Sequence, residues 1–196
     1  MELSVTSSPE PTQQFTGKRF GARAGAYLID LAVIWIATIA ISLVIGIILG
    51  FVFALMGRAL VFTEQRFRVL DFLIGLIMST LYFTSFEWLY GATPGKLALR
   101  MRVVMEDGRP CTFGAAFIRA LLRYIDGLFF GIPAYMSMKE PLLQRIGDKA
   151  ARTIVADTRH PSIQPARAWW WFVVALSAYL GMEIVAALIQ TITMIR

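Results

Sequence analysis

The stretch Arg23-Ala-Gly-Ala-Tyr-Leu-Ile-Asp30 opens a long apolar run and decides how the chain folds. Arg23 and Asp30 are seven residues apart, so they lie on nearly the same face of an α-helix. No charged residue occurs from Leu31 to Gly57, which places Asp30 inside a helix of membrane-spanning length. An ionisable side chain at such depth costs about 2.5–3.5 kcal/mol, so it usually has a partner. We therefore predict that Asp30 faces protein or water, with Arg23 as the candidate partner.

The composition is that of a polytopic membrane protein. Of the 196 residues, 57% are hydrophobic and only 16% are charged, whereas soluble proteins have about 25% charged residues. Apolar runs predict three membrane spans, over about 24–56, 69–90 and 169–195. The predicted fold is an all-α membrane protein, a small helical bundle with three full transmembrane helices plus an amphipathic or re-entrant segment. A bundle of four spans is the alternative.

The distribution of charge predicts the topology. The net charge is +6, and the basic residues crowd between the apolar runs, as the positive-inside rule predicts for cytoplasmic segments. This places the N-terminus and residues 91–123 in the cytoplasm and residues 57–68 outside, and it argues against nucleic-acid binding. Residues 1–17 are predicted to be a disordered polar tail, and 158–168 a linker before the last span. A single cysteine excludes an internal disulfide.

The segment after the second span repeats the opening pattern. Arg119, Arg123 and Asp126 form one narrow stripe on an amphipathic helix, and Arg119 and Asp126 have the same spacing as Arg23 and Asp30. Gly131-Ile-Pro133 then interrupts the helix. Residues 113–138 are therefore either one kinked span or an interfacial helix followed by a re-entrant segment. The basic charge of residues 139–168 favours re-entry, because a full span would place that charge outside.

Taken together, these motifs resemble the RDD family of small prokaryotic membrane proteins, named for an arginine and two aspartates. The resemblance covers residues 18–157, and the last helix, 169–196, is additional to the usual family core. The resemblance implies that Arg23 and Asp30 are two of the name-giving residues and that Asp126 or Asp148 is the third, with Asp126 preferred. It also implies a prokaryotic plasma membrane and, for some members, cation/proton antiport. The matching motif positions are Arg23, Asp30, Gly91, Thr93, Gly95, Lys96, Arg119, Arg123, Asp126, Gln144, Arg145, Gly147 and Asp148.

Three classes of function compete. A transporter would exchange a monovalent cation for protons at Asp30 and Asp126, with Glu183 of the last span as a relay or gate, and it would need a homo-oligomer to enclose a pathway. A non-catalytic scaffold or accessory subunit would use the Arg–Asp pairs only to fix its helices and would bind other membrane subunits. An enzyme is not expected, because the single His160 lies in a linker and supplies neither a triad nor a metal site. No cofactor is predicted, and the lipid bilayer is the one partner that every hypothesis shares.

Overall fold

Three long apolar helices form the body of the protein. The computed structural model describes residues 16–57, 69–139, 141–161 and 163–194, with side chains up to residue 191. The long helices are α1 (Phe20–Leu55), α2 (Val69–Leu89) and α7 (Trp170–Met194), and each is long and apolar enough to cross a membrane. These helices confirm the three predicted spans. Most of the predicted tail (1–17) and of the outer loop (57–68) lies outside the described residues.

The three spans pack around an aromatic core. Tyr82 and Phe86 of α2 are fully buried, and Tyr82 contacts Tyr179 of α7 with ring centroids 5.0 Å apart. Phe172, at the start of α7, packs against Phe86 near the end of α2. The start of α1, the end of α2 and the start of α7 therefore lie at the same end of the bundle.

Short elements cover that end of the bundle. They are α3 (Pro94–Ala98), β1 (Met101–Met105), α4 (Phe113–Asp126), α5 (Leu128–Ser137), α6 (Ile146–Ala150) and β2 (Thr153–Asp157). The chain turns at Gly108 after β1, with φ of +81° at that glycine. Strand β1 pairs antiparallel with β2 in the register Met101–Asp157 to Met105–Thr153. The sequence reasoning missed β2, because its hydrogen-bonding partner is remote in the chain and no turn signal links the two strands.

Residues 113–138 form two short helices, α4 and α5, with a kink near their junction. Thr112 caps α4 by accepting a hydrogen bond from the Ala115 backbone amide at 3.3 Å. Near the start of α5 the backbone is left-handed at three successive residues, with φ of 48° at Phe129, 60° at Phe130 and 88° at Gly131. With its 10 residues, α5 is too short to cross a bilayer by itself. Among the described residues three helices are candidate spans, and residues 113–138 form a kinked segment that exposes Phe129 and Phe130.

Candidate functional site

Asp30 holds the short helix α3 against the first span. Its carboxylate is 1% exposed and accepts hydrogen bonds from the Tyr82 hydroxyl at 3.0 Å, the Thr93 hydroxyl at 2.6 Å and the Gly95 amide at 2.8 Å. Position 95 requires glycine, because a Cβ there would lie 2.1 Å from the Ala26 carbonyl oxygen. The motif Gly91-x-Thr-Pro-Gly-Lys96 is therefore a clamp that closes on Asp30.

Arg23 does not pair with Asp30, which corrects the prediction from their shared helix face. Its Nη1 donates to Asp148 at the start of α6, and its Nε donates to the Lys18 carbonyl oxygen at 2.9 Å. The neutral donors of α2 and α3 occupy Asp30, so the arginine extends to a carboxylate from a remote part of the chain. Spacing within one helix predicted which residues share a face, and it did not predict their partners.

Arg119 connects two carboxylates in the centre of the site. Its side chain is fully buried. The Nε donates to Glu87 at 2.8 Å, while Nη1 donates to Asp148 and, at 2.7 Å, to the Thr153 hydroxyl. Burial alone would raise the pKa of Asp148, but Arg119, Arg145 and Arg23 outweigh it and hold that pKa well below its ordinary value. This carboxylate is therefore charged in the folded protein.

Glu87 and Lys96 are two members of the site whose burial the sequence analysis did not predict. Glu87 lies close to Trp88 and Tyr90, aromatic residues typical of the membrane interface, yet it is completely buried. It accepts hydrogen bonds from Lys96, from Arg119 and, at 2.9 Å, from Arg123. Lys96 is also buried, and burial lowers its pKa to about 8 although Glu87 opposes the shift. The signal available in the sequence was an acid within an apolar run, the same signal that marked Asp30.

Asp126 organises the loop that leads into α6. Its two oxygens accept from the Ile146 amide at 3.2 Å and the Gly147 amide at 3.4 Å, and Arg145 Nε lies 3.9 Å away. Gln144 donates to the Thr153 carbonyl oxygen at 2.9 Å, which ties the same loop to β2. The predicted Arg119–Arg123–Asp126 stripe exists on α4, but its two arginines share Glu87 of α2, whereas Asp126 binds the backbone at the start of α6.

These contacts join the family-motif residues into one assembly. We call its ion-paired members the charge network: Arg23, Glu87, Lys96, Arg119, Arg123, Asp126, Arg145 and Asp148. Asp30 lies beside the network and is linked to it through α3. Glu183 is separate. It is 5% exposed in α7 and accepts a hydrogen bond from the Thr38 hydroxyl of α1.

The chemistry of the site is that of ion pairs. Among the described residues, no group of three or more histidine, cysteine or acidic side chains is arranged to hold a metal ion. Burial raises the pKa of the Cys111 thiol to about 12, so this thiol is not an activated nucleophile.

Comparison with known proteins agrees with the motif. The model of the RDD family matches residues 18–152. The chain belongs to the RDD family. No curated protein and no solved structure matches the chain. The family region contains the whole charge network and Asp30, whereas Glu183 lies outside it, on the last span. As an RDD-family membrane protein with three spans, the chain contacts the lipid bilayer.

Proposed function

We propose that this RDD-family protein is a non-catalytic membrane module, an accessory or scaffold subunit whose buried charges fix its helices at one end of the bundle. This role is supported by the hydrogen bonds that occupy the oxygen atoms of the buried carboxylates. Among the described residues, both oxygens of Asp30, Glu87, Asp126 and Asp148 each accept at least one hydrogen bond. A cation that entered would have to displace one of these donors.

The balance of charge supports the same proposal. The charge network and Asp30 contain five cations and four carboxylates, which leaves one positive charge in excess. Sodium or potassium ions are repelled by such an environment. The lowered pKa of Asp148 also keeps that carboxylate ionised rather than ready to exchange a proton. The contacts of Asp30 and Asp126 are thus those of carboxylates that stabilise the fold.

Proton flux in vesicles tests the proposal. Purified protein in liposomes receives pulses of Na⁺, K⁺ or Li⁺ while an internal dye reports pH, with protein-free liposomes as the baseline. We expect no cation-dependent pH change from the folded protein. Asp30→Asn is the decisive variant, because asparagine keeps an acceptor for Tyr82 and Gly95 and should still fold. A cation-dependent pH change that disappears in Asp30→Asn would replace the scaffold with an exchanger.

The second candidate function is cation/proton exchange centred on Glu183. Its Oε2 has no hydrogen-bond partner among the described residues, unlike the oxygens of the four acids above. An acid in a membrane span is a functional candidate by default, and this one has a free acceptor atom. In the same vesicles, this candidate predicts a cation-dependent pH change that Glu183→Gln abolishes and Asp30→Asn retains.

The proposal also includes the membrane in which the module lies and its orientation there. We propose the plasma membrane of a prokaryote, as the family implies. We also propose a cytoplasmic N-terminus, because Lys18, Arg19 and Arg23 surround the start of α1. A fluorescent-protein fusion at the N-terminus is expected to fluoresce, since that reporter matures in the cytoplasm. Association with a second copy or with another membrane subunit is expected for a scaffold, and mild-detergent purification would recover it.

A further inference from the structure

A small polar cavity lies within the charged end of the bundle. It has a volume of about 20 Å³ and is enclosed by α1, α3, α4 and the residues before α6. Its lining contains four cations, Arg23, Lys96, Arg123 and Arg145, but only one carboxylate, Asp30. About 10–15 Å³ is enough for one water molecule, so the cavity has room for one small polar atom or ion. The charge of the lining selects for an anion.

Several donors around the cavity have no acceptor. Arg23 Nη2, Arg123 Nε and Arg145 Nε lack a hydrogen-bond partner among the described residues. Arg23 and Arg123 are 7% and 9% exposed, so bulk water does not compensate for the missing bonds. Buried polar groups in proteins are nearly always hydrogen-bonded, and a cluster of unpaired ones indicates an absent water or ion. Arginine N–H groups also match the geometry of phosphate and carboxylate oxygens.

Within the part of the chain that the structure describes, these groups have no acceptor at hydrogen-bond distance. Both oxygens of Asp30 are occupied by donors from α2 and α3. The guanidinium carbon of Arg123 lies 3.3 Å from the centre of the Phe83 ring, so one face of this group is used by the aromatic ring and its edge remains for a ligand. The excess of one positive charge in this region matches a ligand with a negative charge.

Two of the residues that line the cavity are partly exposed. Tyr27 is 39% exposed and the side chain of Arg145 is 15% exposed, which makes them the lining residues at the mouth. Tyr27 lies in the first turns of a membrane span, at the depth where aromatic residues meet lipid headgroups. Basic pockets between helices at this level suit lipid phosphate groups.

We propose that this cavity binds one anionic oxygen of a phosphate group, held by Arg23, Arg123 and Arg145, with the rest of the phosphate extending past Tyr27. The phosphate belongs either to a lipid headgroup or to free phosphate, since both present the same oxygen. This inference does not depend on whether the protein transports ions.

Thermal unfolding of the full chain in dodecyl maltoside, a detergent without phosphate, tests the proposal. Inorganic phosphate is the first probe, compared with sodium chloride at equal ionic strength. Phosphatidylglycerol is the second probe, compared with a diacylglycerol of the same acyl chains. We expect one of the two phosphate probes to raise the melting temperature saturably, with its non-phosphate counterpart having no such effect.

Two variants make the test specific. Arg145→Gln removes a donor at the mouth whose ion pairs are long, 3.7 and 3.9 Å, so the chain should still fold. It should weaken the apparent affinity at least tenfold. Arg109→Gln removes the same charge from an exposed turn outside the cavity and should change the affinity less than twofold. If Arg145→Gln fails to fold, Arg145→Lys keeps the charge without the planar group and should weaken binding at least threefold.

The outcomes separate the sources of phosphate. A response to inorganic phosphate that Arg145→Gln weakens identifies free phosphate as the ligand. A response to phosphatidylglycerol alone, again weakened by Arg145→Gln, identifies a lipid headgroup. The proposal is overturned if neither phosphate probe acts, if its counterpart acts equally well, or if the two glutamine variants respond alike.

Discussion

Two buried glutamates lie in regions of the molecule that provide different binding partners. Glu87, at the charged end, is bound by a lysine and two arginines. Glu183, within the last span, interacts among the described residues with the hydroxyl groups of Thr38 and Tyr179 and with no cation in an ion pair. The first glutamate has cations from two different elements around it, so its charge is needed to hold α3 and α4 on α2. The second can lose its charge without leaving a cation behind. The depth of an acidic residue in a membrane helix therefore does not by itself define its role. The groups that bind the carboxylate define it.

The largest expected effect comes from removing the charge of Glu87. Glu87→Gln leaves Lys96, Arg119 and Arg123 buried with one fewer anion. Removing one partner of a buried ion pair typically costs about 3–5 kcal/mol. We expect a strong loss of thermal stability in dodecyl maltoside. The control is Glu183→Gln, the same substitution in the other region, and equal losses in the two variants would remove the distinction between them.

Acid should selectively weaken the charged end, because Asp148 belongs to it. The pKa of Asp148 is lowered in the folded protein, so it binds its proton more readily in the unfolded chain. Its contribution to stability is present above its unfolded pKa, about 3.9, and is lost as pH falls through the lower folded value. A salt-bridged aspartate of this kind contributes about 2–3 kcal/mol.

The acid dependence is measured as melting temperature between pH 7 and pH 3. Asp148→Asn should start lower at pH 7 and lose less stability on acidification than the unmodified chain. Asp107→Asn, in an exposed turn, serves as the control and should keep the original slope. Parallel curves for Asp148→Asn and the unmodified chain would show that this carboxylate does not govern the acid response.

A smaller loss of stability is expected from adding a methyl group between α1 and α3. In Gly95→Ala the new methyl group would meet the Ala26 carbonyl oxygen and Asp30, which forces the Thr93–Gly95 clamp away from the carboxylate. Overpacking of this type costs about 1–3 kcal/mol. Gly114→Ala is the matched control, because no atom lies within 4 Å of a Cβ at this position in α4. The control should be neutral or stabilise by up to about 1 kcal/mol, and an equal loss in both variants would contradict the clamp.

The sequence predicted the parts of the molecule that depend on local pattern. Uncharged runs marked the three spans, and the spacing of Arg119, Arg123 and Asp126 placed them on one helix face. The partners of these residues depend on tertiary contacts that no local spacing contains. Arg23 and Asp148 are far apart in the chain, and they meet because β2 pairs with β1 and brings α6 against α1 and α4. The burial of Glu87 was missed for a related reason. Its position beside Trp88 suggested the membrane interface, but α3 and α4 cover it.

The smallest effect on stability should come from Glu183→Gln. This variant is the most direct test of the difference between Glu183 and Glu87. Glutamine keeps a carbonyl acceptor for the Thr38 hydroxyl and adds an amide donor in place of an oxygen that has no partner among the described residues. We expect stability to change by less than about 1 kcal/mol, in either direction, because a neutral side chain avoids the desolvation of a charge in the membrane. Thermal unfolding measures this change, with Thr38→Val as the companion variant that removes the hydroxyl.

If Glu183→Gln were as damaging as Glu87→Gln, Glu183 would have a cationic partner outside the described residues or in another subunit. If it is harmless, a carboxylate there is retained for a reason other than stability, and the vesicle measurements on this variant decide whether that reason is proton transfer.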